Sequence, residues 1–230
     1  MRTDRAPRVW DLFCCAGAAS VGYSTAGMRV VGGVDIVDRP RYPFPFVQRD
    51  AVEALRDPET VAWARENVDL IHASIPCQAK CALTLGTNSS QGWGGDHVDL
   101  YPVVTPLLYG LGLPAVIENP SARADVVLCG EMFCLGVLRH RRFELVHWSA
   151  DFKYRRDHKR HRGYVRGWRH GEYRDGPYIA AYGDGGGKAT IPEMQEAMGI
   201  PWTDEREELT EAIPPAYTRW IGRQFIARWA

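Results

Sequence analysis

The sequence predicts an α/β protein built on a mainly parallel sheet, and three observations predict it. Short apolar runs alternate with helical stretches along much of the chain. The early runs end in small or acidic residues, the pattern of a sheet whose carboxyl edge receives a ligand. A length of 230 residues, 45% hydrophobic and 24% charged, suits one large domain, or one domain with a small insertion, around a proper core.

Composition narrows the setting. The chain has no run of about 18 apolar residues able to span a bilayer, and MRTDRAPRVWDLF lacks the apolar centre of a signal peptide. A cytosolic protein without membrane association is therefore expected. Cysteines stand at Cys14, Cys15, Cys77, Cys81, Cys129 and Cys134 with no Cys-x-x-Cys pair, which favours reduced thiols over disulfides or a metal site. The formal net charge is zero, yet Arg139 to Asp175 carries twelve Lys or Arg against five Asp or Glu, so a basic segment sits on an acidic body.

Arg8 to Phe13 is the first predicted strand, and it runs into the small residues Cys14 to Ser20, which open a helix. Such a turn either lets a ligand reach backbone amides at the helix N-terminus or is a tight packing corner. Arg29 to Asp35 reads as a second strand, with Asp35 placed to accept hydrogen bonds from ribose hydroxyls. A proline-rich connection, Pro40 to Pro45, leads to a third strand closed by Asp50 and a helical stretch from Ala51 to Glu66. Asp50 is either a second polar contact for the same ligand or the helix N-cap.

Leu70 to Ala73 is a short strand that breaks at Ser74-Ile75-Pro76 and presents Cys77 on the loop beyond. A thiol there is a nucleophile if its neighbours lower its pKa, and otherwise a buried structural cysteine. Residues 82–99, rich in Gly, Ser, Asn and Thr, read as a surface loop and, directly behind a nucleophile, as a lid. Tyr101 to Leu111 reads as helix and Pro114 to Ile117 as a strand ending in Glu118-Asn119-Pro120. Glu118 is a second functional group at the sheet edge or a solvated strand end.

Val126 to Leu138 and the arginine cluster behind it predict a strand or short hairpin near that edge. Residues 150–175 mix Lys and Arg with Tyr154, Tyr164, Trp168 and Tyr173, a pattern that suits a polyanion whose bases can stack, against the alternative of a solvated charge run. The candidate contacts are Arg155, Arg156, Lys159, Arg160, Arg162, Arg166, Trp168 and Arg169. A glycine hinge at Gly183 to Gly187, a helix near Glu193 to Met198 and a final amphipathic helix, Pro215 to Trp229, complete the chain.

Five stretches then fall into a familiar order: DLFCCAGAASVG at Asp11 to Gly22, PCQ at Pro76 to Gln78, EN at Glu118 and Asn119, R-x-R at Arg139 and Arg141, and AIPPAYTRWIG at Ala212 to Gly222. This order resembles the motifs of DNA cytosine-5 methyltransferases, most of all compact members encoded by actinobacterial phages. The resemblance covers all but roughly 40 residues after Val146. It implies S-adenosylmethionine as methyl donor and a Rossmann-like methyltransferase fold with one antiparallel strand and a small basic target-recognition insertion. The implied partition is a catalytic and cofactor-binding core at 1–148, a basic recognition segment at 149–182 and a return to the core at 183–230.

Carried over by position, the cofactor would meet Phe13, the backbone of Ala16 and Gly17, Asp35 at its ribose, Asp50 at its adenine amino group, and Pro76 and Leu100. The resemblance also implies a Cys77 thiolate attacking carbon 6 of a cytosine flipped out of double-stranded DNA. Glu118 would stabilise ring nitrogen 3, and Arg141 would donate to the carbonyl oxygen with Arg139 in support and Arg142 as an alternative register. The protein is expected to act as a monomer on a short target of roughly two to four base pairs. Departures are Cys15 and Ala18 where the family has glycines, Pro120 for valine, Val137 for glutamine and Glu211 for asparagine. An RNA cytosine methyltransferase, an inactive nucleic-acid-binding relative and a nicotinamide oxidoreductase are the alternatives.

Overall fold

The computed structural model of the protein describes residues 5–76, 99–152, 165–169, 172–181 and 189–229. Strands β1 (Arg8–Leu12), β2 (Arg29–Asp35), β3 (Phe46–Gln48), β4 (Leu70–Ser74) and β5 (Ala115–Glu118) run parallel. β6 (Val126–Leu128) and β7 (Arg141–Val146) complete the sheet in the order β3-β2-β1-β4-β5-β7-β6, with β7 antiparallel to both its neighbours. Gly167–Arg169 and Glu172–Arg174, β8 and β9, form a separate antiparallel pair. Bridges of Val165 to Tyr178 and Val137 to Ile179 tie this region to the body.

The described helices are α1 (Ala18–Ala26), α2 (Ala51–Arg56), α3 (Pro58–Asn67), α4 (Tyr101–Leu111), α5 (Ile191–Met198), α6 (Arg206–Glu211) and α7 (Pro215–Trp229). Alternation along the strands splits the core in two. Trp10, Leu12, Ile71, Ala73, Ile117 and Val146 face α2, α3 and α4, while Val9, Leu70, Val116, Phe143 and Leu145 face α1 and α7. A third cluster around Met194, Met198 and Leu209 seats α5 and α6 against Ala18 and Val137. No helix among the described residues is long and apolar enough to cross a membrane.

Three local expectations change. The stretch from Ala51 to Glu66 is two helices, because Asp57 adopts an extended conformation ahead of Pro58, where a proline disfavours the helical region for the residue before it. β3 stops at Gln48, so Asp50 lies beyond the strand rather than closing it. Helix α6 was not foreseen: its sequence, REELTE, is polar, and Leu209 is its one apolar anchor.

Candidate active site

The carboxyl ends of β4 and β5 are joined by more than the sheet. Ser74 and Glu118 are register partners, the Ile75 amide donates to the Glu118 carbonyl at 3.2 Å, and Asn119 Nδ2 donates to the Ile75 carbonyl at 3.1 Å. The chain therefore leaves for Cys77 from a corner built by Glu118 and Asn119, with Pro76 exposed. Cys77 itself, Cys81 and the expected lid up to residue 98 lie outside the described residues.

Glu118 is buried, and Arg141 Nε stands 3.4 Å from its Oε1. Burial lifts the Glu118 carboxyl above the usual carboxylate range, against the opposing pull of Arg141 and Arg139. Arg142, one residue further along β7, projects to the other face and donates to the Pro120 carbonyl at 3.4 Å. Arg139 differs from expectation in its contacts. Its guanidinium donates to the carbonyls of Ala181, at 2.6 Å, and Thr210, while its own carbonyl accepts from the Tyr217 hydroxyl at 2.6 Å. Arg139 thus braces the C-terminal return against the start of β7 and reaches Glu118 through its charge.

On the other side of the edge, Phe13 and Cys15 take left-handed conformations with φ of 57° and 46°, so two non-glycine residues bend the turn after β1. Asp35 fastens that turn: its Oδ2 accepts from the Cys15 amide at 2.9 Å and its Oδ1 from the Val37 amide at 3.0 Å, with Arg39 Nε 3.3 Å away. Carboxylate oxygens accept more than one hydrogen bond, so these contacts leave Asp35 acceptor capacity. Immediately after it, Ile36 is 65% exposed. It stands one step past the strand-end acid and is not among the site residues expected from the sequence.

Three of the expected cofactor contacts, Ala16, Gly17 and Asp50, already hold partners within the fold. The Ala16 carbonyl is taken by Trp202 Nε1 at 2.8 Å, and the Gly17 amide by the Cys14 carbonyl at 2.8 Å. Gly17, at φ 79°, is also roofed by Tyr42 and Pro43, which a Cβ there would meet at 2.8 Å. Asp50 caps α2, its Oδ1 accepting from the Val52 amide at 2.6 Å and the Glu53 amide at 3.2 Å, which is its helix role. Leu100 precedes α4 and packs, half-buried like Phe13, against the core on the α2 side.

Arg155, Arg156, Lys159, Arg160 and Arg162 lie outside the described residues, and Trp168 and Arg169 belong to β8. Arg166 is ion-paired with Glu193 of α5, which ties the basic segment to the C-terminal return. Tyr173 of β9 is 53% exposed.

No protein-family model matches the sequence, and no curated protein matches it. Solved structures do. A protein titled as a DNA modification methyltransferase encoded within an E. coli prophage aligns at a TM-score of 0.59 and 13% identity, over 96% of this chain and 99% of that one. The fold is a methyltransferase fold. The S. pombe Dnmt2 methyltransferase aligns at 0.59 and 10% identity, over 96% of this chain and 99% of that one. The Entamoeba histolytica methyltransferase EhMeth aligns at 0.56 and 10%, over 98% and 99%. In this methyltransferase fold β7 is the expected antiparallel strand, and Glu118 and Arg141 stand at the carboxyl ends of the parallel strands beside it.

Proposed function

We propose that the protein is an S-adenosylmethionine-dependent cytosine-5 methyltransferase acting on double-stranded DNA. The observation that carries this reading is the meeting of Glu118, Arg141 and the approach to Cys77 at one corner, from segments far apart in the chain. Cytosine carbon 5 is a poor nucleophile, and a Cys77 thiolate bonding to carbon 6 would give the ring the enamine character it needs. Glu118, whose burial favours the protonated form, would share its proton with ring nitrogen 3 as charge develops there. Arg141 would donate to the carbonyl oxygen of the base. Afterwards a base or water removes the carbon 5 proton and the thiol leaves.

S-adenosylmethionine would supply the methyl group. The residues present fit its adenosyl part: Asp35 retains acceptor capacity for ribose hydroxyls, and exposed Ile36 offers an apolar surface to the adenine beside it. Phe13, Pro76 and Leu100 would line the same side. The segment 149–182, with Arg155, Arg156, Lys159, Arg160, Arg162, Arg166, Trp168 and Arg169, would hold the duplex on which a target base must be flipped out.

Expression of the protein and its Cys77→Ala variant in a methylation-free host, with sequencing of DNA and RNA for 5-methylcytosine, tests the reading. A mark in DNA that the variant lacks is expected. A mark confined to RNA would reassign the substrate, and no mark, or an equal one from the variant, would sink the reaction.

A further inference from the structure

Asp35 is fixed by three groups, and one of them is a side chain that must itself be held. The Cys15 and Val37 amides are backbone donors on the turns beside it. The third group is Arg39, whose Nε stands 3.3 Å from Asp35 Oδ1. The chain turns immediately after β2 to bring Arg39 back: Pro40 follows it, and the Tyr42 amide donates to the Arg39 carbonyl at 2.9 Å. An arginine side chain has many rotamers to lose, so it steadies a carboxylate only if something else orders it.

Glu208 of α6 does so. Its Oε1 lies 3.8 Å from Arg39 Nη1, and its Oε2 accepts from the Thr203 hydroxyl. The Thr203 carbonyl in turn accepts from Gln195 Nε2 of α5 at 2.7 Å. Glu208 and Thr203 are buried and the Arg39 side chain is only 17% exposed, so this row differs from a solvated surface pair of little worth. It also accounts for α6, a polar helix that keeps a buried glutamate next to its apolar anchor Leu209. Arg41 offers the comparison. It pairs with Asp204 at 3.0 Å and Glu205 at 3.2 Å, two exposed acids of the same return segment, and so clasps the same stretches from the solvent side.

We propose that Arg39, held by Glu208, is a positioning residue for Asp35, fixing the carboxylate that receives the ribose hydroxyls of the proposed cofactor. This deepens the proposed function and rests on its cofactor reading. Two backbone amides orient Asp35 from its own loops, and Arg39 ties it to the C-terminal return, so the acid's placement depends on α6 being docked.

The test is isothermal titration calorimetry with S-adenosylhomocysteine and its 2′,3′-dideoxy analogue, which lacks both ribose hydroxyls. The proteins are the parent, Arg39→Gln, Arg41→Gln and the double variant Arg39→Gln/Glu208→Gln. A merely structural loss weakens both ligands alike and leaves the ratio of their affinities unmoved. The parent should bind S-adenosylhomocysteine about thirtyfold more tightly than the analogue, the scale of hydrogen bonds to a charged acceptor. Arg39→Gln should cut that ratio to about threefold, and Arg41→Gln should keep it. Arg39→Gln leaves Glu208 buried without its cation, so if that variant does not melt cooperatively the double variant, which removes both charges, decides the matter with the same fall expected. An unchanged ratio in a folded Arg39 variant would overturn the role. So would an equal fall in Arg41→Gln, which would make Arg39 one of two clasps. A parent that binds both ligands alike would overturn it as well, and a parent that binds neither would sink the cofactor reading together with it. A ratio that falls as expected in a protein that methylates nothing supports Arg39 and sinks only the reaction.

Discussion

Arg141 and Glu118 face each other across β7 and β5 at 3.4 Å, while the adjacent Arg142 turns to the opposite side of the sheet. Of two neighbouring arginines, the pleat gives one to the site. Arg141→Ala should therefore lower methyl transfer by about a hundredfold, the scale of losing one donor to developing charge, with Arg142→Ala within a few-fold of the parent. Transfer of labelled methyl groups to DNA measures both, and equal losses would put the assignment in error.

Gly22 of α1 packs where α7 crosses. A Cβ there would meet Thr218 Oγ1 at 1.9 Å and the Pro215 carbonyl at 2.2 Å, and Thr218 Oγ1 is itself held by the Ala19 carbonyl at 2.8 Å. Neither neighbour can retreat cheaply. Gly22→Ala should cost about 3 kcal/mol by urea unfolding, although alanine is the better helix former.

Glu144 pins α4 to the sheet from the face opposite Glu118. It accepts from the hydroxyls of Tyr101 at 2.7 Å and Tyr109 at 2.6 Å and from the Arg123 amide at 3.0 Å. Burial pulls its pKa upward, but these hydrogen bonds outweigh it and leave the carboxyl below its ordinary range. The stabilisation is thus present above the unfolded pKa of about 4.3 and is lost as pH falls through the lower folded value. Glu144→Gln should cost about 2 kcal/mol at pH 7, and the difference should shrink on acidification, as read from denaturant midpoints.

Asp11 works with the opposite sign. Burial raises its pKa to about 7, against a hydrogen bond from Ser20 at 2.6 Å, and among the described residues its Oδ1 has no hydrogen-bond partner. Between about pH 4 and 7 the folded protein holds more protons at Asp11 than the unfolded chain, so this group lowers stability as pH rises. His72, at about 3, acts the other way: the unfolded chain binds the extra proton between about 3 and 6.5, and stability rises with pH there. The two partly cancel in the parent. Asp11→Asn should remove one of them and make stability climb more steeply from pH 4 to 7, by on the order of 1 kcal/mol per pH unit. Thermal melts across that range would refute this if parent and variant ran parallel.

Local physics was legible where one residue type decides the matter. Runs such as Leu70 to Ala73, and the helix Tyr101–Leu111, were readable because apolar spacing and flanking breakers act within a few residues. The break before Pro58 is equally local, since the proline restricts the residue ahead of it. Asp50 was not decidable: a strand-end acid and a helix N-cap look alike until the amides of Val52 and Glu53 are placed.

By itself, the sequence determined the class of sheet, the residues that could do chemistry and the order in which they arrive, because these depend on residue type and near neighbours. Only the tertiary structure decided which of them meet. Arg139 became a brace because Ala181 and Thr210 bring their carbonyls to it, Ala16 lost its carbonyl to Trp202, and Ser74 came to face Glu118 through the register of two strands. Each of those pairings joins residues more than forty positions apart. Strand register and loop docking are set by the packing of whole faces, and no local pattern carries that information.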